Sequence, residues 1–88
     1  MLKAIWKYPL KVEAQQEIEM PVGAEILTVQ MQYDRPVLWA KVSPGGWPQK
    51  KTIVIHPTGH EFEEYQGRYI GTFQMEGGVY VWHVYEAL

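Results

Sequence analysis

The sequence contains no cysteine. That excludes thiol catalysis and cysteine-ligated zinc, and a small domain without disulfides is expected at a reducing, intracellular site. No apolar run approaches the ~20 residues of a membrane-spanning helix. The start, "MLKAIWKYPLKVE", has lysines spaced through it and lacks the apolar core of a signal peptide. A basic excess is also missing: 8 Lys and Arg stand against 10 Asp and Glu, a net charge of −2. Only "QKK" at 49–51 is locally basic, so nucleic acid is not an expected partner. The chain has one serine, Ser43, outside any nucleophile-elbow context, and its glycines follow neither a dinucleotide nor a phosphate-loop pattern.

What is present reads as β-structure. Eighty-eight residues make one domain, 1–88, since two independent cores would each be too small to be stable. Apolar residues recur at a period of two nearly throughout. Residues 2–10 alternate Leu2, Ala4, Trp6, Tyr8 and Leu10 with polar positions, and 17–20 set Ile18 and Met20 against Glu17 and Glu19. Pro21 and Gly23 then turn the chain. A hairpin is predicted at 25–42 around the turn "YDRP" (33–36), with Pro36 ending the first strand. "SPGGWPQKK" (43–51) reads as a loop, "TIVIH" (52–56) as a short strand that Pro57 ends, and 68–86 as a second hairpin about Gly77-Gly78. Only 11–17 and 60–65 have helical character, and neither is long enough to cover a sheet.

The last hairpin is apolar on both faces, with Val79, Val81 and Tyr85 on one and Tyr80, Trp82 and Val84 on the other. A lone antiparallel sheet would show one wet face, so a second sheet, a barrel closure or another subunit must cover it. The expected fold is a small all-β antiparallel roll or sandwich of six to seven strands, associating with itself as a homodimer or higher oligomer.

Chemistry is sparse. His56 and His60 have a spacing that would place two ligands on one helical face, but Pro57 and Gly59 lie between them. His83 and Glu61 could complete a metal site only if the last strand ran alongside. A turn at Thr58-Gly59 explains the segment without a metal, so none is expected, and no other cofactor either. Glu61, Glu63 and Glu64 read as a solvated loop. No catalytic residue is assigned and the protein is not expected to be an enzyme.

Binding is the better expectation. The chain has four Trp and six Tyr, and Trp47 sits in "PGGWP", where no periodicity places it in a core. Beside such aromatics, Arg35, Lys41, Arg68 and the backbone N–H groups of "TGH" are the natural donors to a small anionic ligand.

Seven stretches carry a resemblance: "IWKY" (5–8), "IEMPVGAEIL" (18–27), "VQMQ" (29–32), "LWA" (38–40), "TGH" (58–60), "YIGTFQ" (69–74) and "VWHV" (81–84). In order and spacing the chain resembles a family of small, mostly uncharacterised proteins of bacteriophages and prophages. That resemblance implies no catalytic mechanism. It implies an accessory factor in the host-cell cytoplasm, acting by sequestering a small ligand, with a nucleotide-derived signal of host defence as one candidate. The expected pocket lies at a subunit edge and uses Trp47, His60, Arg68, Tyr69 and Trp82. The alternative is an inhibitor or structural module of a virion, docking on a host or virion protein through an exposed aromatic patch and a strand edge.

Overall fold

A computed structural model describes all residues, 1–88. Seven strands follow one another: β1 (Ala4–Pro9), β2 (Gln15–Pro21), β3 (Glu25–Gln32), β4 (Arg35–Val42), β5 (Pro48–Pro57), β6 (Gly67–Met75) and β7 (Tyr80–Ala87), with a 3-10 turn at Glu76–Gly78. They form two antiparallel sheets, ordered β1-β4-β3 and β2-β5-β7-β6. The expected all-β class and both hairpins are present. Neither segment with helical character forms a helix, because 11–17 is drawn into a bend and β2, and 61–65 adopts no regular structure. No helix is long and apolar enough to cross a membrane.

The two sheets meet through their alternating apolar faces. Ile26, Val29, Leu38, Ala40 and Val42 of one pack with Met20, Ile53, Ile55, Phe73 and Val84 of the other. Each fully buried aliphatic side chain contributes about 1.5–3 kcal/mol.

Two boundaries differ from the sequence reading. The loop expected at 43–51 ends at Trp47, and 48–51 belongs to β5. "QKK" is held there by β2, with Gln49 opposite Met20, Lys50 opposite Glu19 and Lys51 opposite Ile18. Its charges are matched across the strands, as in Lys50–Glu17 at 3.9 Å, so a locally polar run reads as loop but pairs as strand. Pro36 does not end the preceding strand either. It lies inside β4 opposite Met31, at a point beyond the end of β1, where its missing N–H removes no bond to that neighbour. The turn is Tyr33-Asp34 alone, with φ of 50° and 63°.

β3 and β6, the edge strands nearest each other, form a seam between the sheets. A Cβ on Gly71 would lie 3.0 Å from Val29 Cγ1, so glycine permits the approach. Arg68 donates from Nη2 to the Ile26 carbonyl at 2.6 Å and to Glu86 Oε1 at 3.3 Å. Glu86 also pairs with Lys51 at 3.0 Å, and both side chains are about 15% exposed. Each seam strand carries a bulge, between Ile26 and Thr28 and between Tyr69 and Gly71.

The two-faced final hairpin is covered in part within the chain, while Val79 and Tyr80 stay exposed. Its inner face packs on the three-stranded sheet. Part of its outer face lies under the 58–66 segment, whose Phe62 and Tyr65 rest against His56 and Tyr85.

Candidate functional site

Three neighbouring strands set the site. His56 on β5 stands opposite His83 on β7, which stands opposite Thr72 on β6, forming a row across the outer face of the four-stranded sheet. Tyr85, two residues on from His83, shares that face. The β6 bulge adds Tyr69. In an unbroken strand, residues three apart point to opposite faces, but the extra residue at Ile70 puts Tyr69 and Thr72 on one side and turns Phe73 into the core.

Above the row, Pro57 to His60 form a turn in which the His60 N–H donates to the Pro57 carbonyl at 3.3 Å. Gly59 takes φ +89°, as the third position of a type II turn requires. This turn hangs Thr58 over β7, where its N–H donates to the Val81 carbonyl at 3.1 Å.

The polar groups form a directed chain. Both ring nitrogens of His83 are engaged, Nε2 with Thr58 Oγ1 at 2.6 Å and Nδ1 with Thr72 Oγ1 at 3.0 Å, and Thr72 Oγ1 also meets the Tyr69 hydroxyl. With Nε2 protonated, the assignment consistent with these partners has Tyr69 donating to Thr72, Thr72 to His83, His83 to Thr58, and Thr58 to the Val81 carbonyl at 3.4 Å. His56 differs. Its Nε2 shares a hydrogen bond with the Tyr65 hydroxyl at 2.9 Å, and Phe62 stacks on its ring at 3.7 Å and 5°. Burial lowers the His56 pKa below the ordinary histidine value, and the neighbouring His83 adds to the effect. Burial likewise raises the Tyr65 pKa, helped by Tyr85, so the phenol keeps its proton.

Together these groups bound an open cleft of about 390 Å³, with His60, Tyr69, Phe62 and Tyr85 on its walls. No lysine or arginine lines it. Although three histidines border the cleft, no three His, Asp or Glu side chains come together as a metal-ligand group. Both nitrogens of His83 being occupied, the arrangement suits recognition by hydrogen bonds and ring contacts.

Of the five residues expected to form a pocket, the structure brings His60 and Tyr69 together here. Trp47 lies in the β4–β5 connection, 83% exposed, with its carbonyl accepting from the Val22 N–H at 2.6 Å. Arg68 is at the seam, occupied by Ile26 and Glu86. Trp82 packs against the core, its buried indole N–H unpaired. The "TGH" backbone donors expected for an anion are partly spent, since Thr58 and His60 give theirs to Val81 and Pro57. Thr72, Phe62, Tyr65 and Tyr85, and the hydroxyl of Thr58, were not expected at a site from the sequence. One signal was available: Gly71 inside an otherwise regular strand pattern marks a bulge or a close backbone approach, and here it marks both.

A family model for a domain of unknown function (DUF7352) matches residues 1–88, and the chain belongs to that family. No curated protein and no solved structure matches it.

Proposed function

We propose that this domain is a non-enzymatic binding protein that holds a small ligand in the His56–His83 cleft. The observation that carries the reading is the composition of that cleft. Rings from His56, Phe62, Tyr69 and Tyr85 border a cleft of about 390 Å³ beside His83, which Thr58 and Thr72 hold by hydrogen bonds. Small-molecule sites characteristically combine apolar walls with a few convergent polar groups in 300–1,000 Å³. The row also resembles no proton-transfer dyad, since both His83 nitrogens are held by threonine hydroxyls. The motif resemblance supports a phage accessory role in the host cytoplasm, in which holding a ligand sequesters it. Native mass spectrometry of protein purified from cells, with a thermal-shift panel of metabolites, tests this. A bound small molecule lost on His83→Ala supports it, and an empty protein that no ligand stabilises overturns it.

A second reading rests on a separate surface. Trp47 is 83% exposed, and Met1, Leu2 and Val22 beside its loop are also exposed. Such a patch favours docking to another protein or a second copy of this chain. Sedimentation of Trp47→Ser against wild type distinguishes self-association there from a monomer.

A further inference from the structure

Phe62 is the clearest clue to what the cleft accepts. Its ring lies 3.7 Å from that of His56 and within 5° of parallel, yet it comes from a segment without regular structure and stays 48% exposed. The backbone between His60 and Gln66 is held to the sheet chiefly at its ends, through the His60–Pro57 turn and the Leu88 N–H to Gln66 carbonyl bond at 3.1 Å, with Tyr65 adding a side-chain tether to His56. The face of His56 therefore carries a flat six-membered ring supplied by a half-exposed side chain.

We infer that the cleft takes an uncharged planar heterocycle, which stacks on His56 in the place of Phe62 and hydrogen-bonds along its edge to the hydroxyl row. This rests on the ligand-binding reading and specifies its chemistry. Three observations select the class. The stack fixes the shape, because parallel rings at that spacing leave room for a flat group and not for a branched or tetrahedral one. Electrostatics set the charge: no lysine or arginine lines the cleft, while Glu61, Glu63 and Glu64 flank Phe62 on the exposed loop. A phosphate or carboxylate there meets negative charge without a countercharge. The hydroxyls fix the edge. Tyr69 and Thr58 line the cleft with their protons spent on Thr72 and the Val81 carbonyl, so their remaining lone pairs accept and match the N–H groups of a nitrogen heterocycle. The small anion expected from the sequence is thereby replaced by a neutral ring.

Paired probes test this by titration calorimetry and proton NMR: adenosine with its 5′-monophosphate, guanosine and thymidine with theirs, and indole with indole-3-acetate. The expected result is that at least one neutral member binds about tenfold or more tighter than its anionic partner, with ring-current shifts on the His56 protons. Phe62→Ala removes the internal competitor and is expected to tighten that binding about two- to tenfold. His56→Phe keeps a flat surface and retains binding, whereas His56→Ala loses it; circular dichroism establishes that each variant is folded. Equal or tighter binding of the anionic members, or weaker binding in Phe62→Ala, overturns the inference while leaving a small-ligand protein intact. Absence of binding by every ring overturns it too, and the ligand-binding reading falls with it only if the wider metabolite panel is also silent.

Discussion

His56 and His83 face each other across β5 and β7, but they are held in opposite ways. His83 is clamped at both nitrogens by threonines of its own sheet and the adjoining turn. His56 is held by a tyrosine and covered by a phenylalanine from the irregular 58–66 segment. One imidazole is a fixed part of the sheet. The other is the point where the irregular segment is fastened.

That contrast has a pH signature. The folded state disfavours protonated His56, first through burial and then through His83. An unfolded histidine takes a proton near pH 6.5. The His56 contribution to stability is therefore complete above about that pH and declines as pH falls below it. Urea midpoints at pH 8, 6.5 and 5.5 should decline in the wild type and decline less in His56→Gln. In His83→Gln, an NMR titration of His56 should move upward without reaching the ordinary value, because burial, the larger cause, remains.

Tyr65→Phe deletes the hydrogen bond to His56 while keeping the ring against Tyr85. The expected loss is about 1 kcal/mol in chemical denaturation. Hydrogen exchange should quicken across 58–66 and stay unchanged in β3 and β4.

Gly71→Ala places a methyl 3.0 Å from Val29 Cγ1, and Val29 is itself buried, so the contact must be relieved within a packed core. The expected cost is about 1–3 kcal/mol. In Val29→Ala the same change should cost markedly less, so a double-mutant cycle reads the seam contact directly.

Glu86→Gln leaves Lys51 and Arg68 without their shared countercharge at the seam. A loss of about 1–3 kcal/mol is expected, less than for a fully buried pair because some contact with water remains. Urea denaturation of Glu86→Gln beside Lys51→Met shows whether the charge or the packing dominates.

The Tyr33-Asp34 turn places two non-glycine residues at positive φ in a two-residue hairpin loop. Asn-Gly suits that geometry better. Tyr33→Asn with Asp34→Gly is expected to raise stability by about 0.5–1 kcal/mol, seen as a higher urea midpoint with an unchanged slope.

Much of the fold was legible because strand structure is written locally. The period-two pattern of 25–42 and the turn between its halves identify β3 and β4, and the same holds for β6 and β7. Residues 48–51 were not legible, since their strand character comes from Ile18, Glu19, Met20 and Pro21 across the gap and from nothing in their own composition. The site was legible only in fragments. "IHPTGH" showed a strand end, a turn and the residue His60, and the last hairpin showed Tyr69. Their meeting depends on a bulge that re-phases β6 by one residue and on which strands become neighbours.

Sequence alone determined that this chain is β-rich with two identifiable hairpins, because alternation and turn chemistry act over a few residues. Only the tertiary structure decided that β5 and β7 are adjacent, which opposes His56 to His83. Tertiary structure also decided that Phe62 and Tyr65 fold onto Tyr85 of the outer face, because those contacts join segments distant in sequence. Trp47 and Arg68 show the same division: both read as binding residues, yet strand order sends one to an exposed connection and the other into the seam between the sheets.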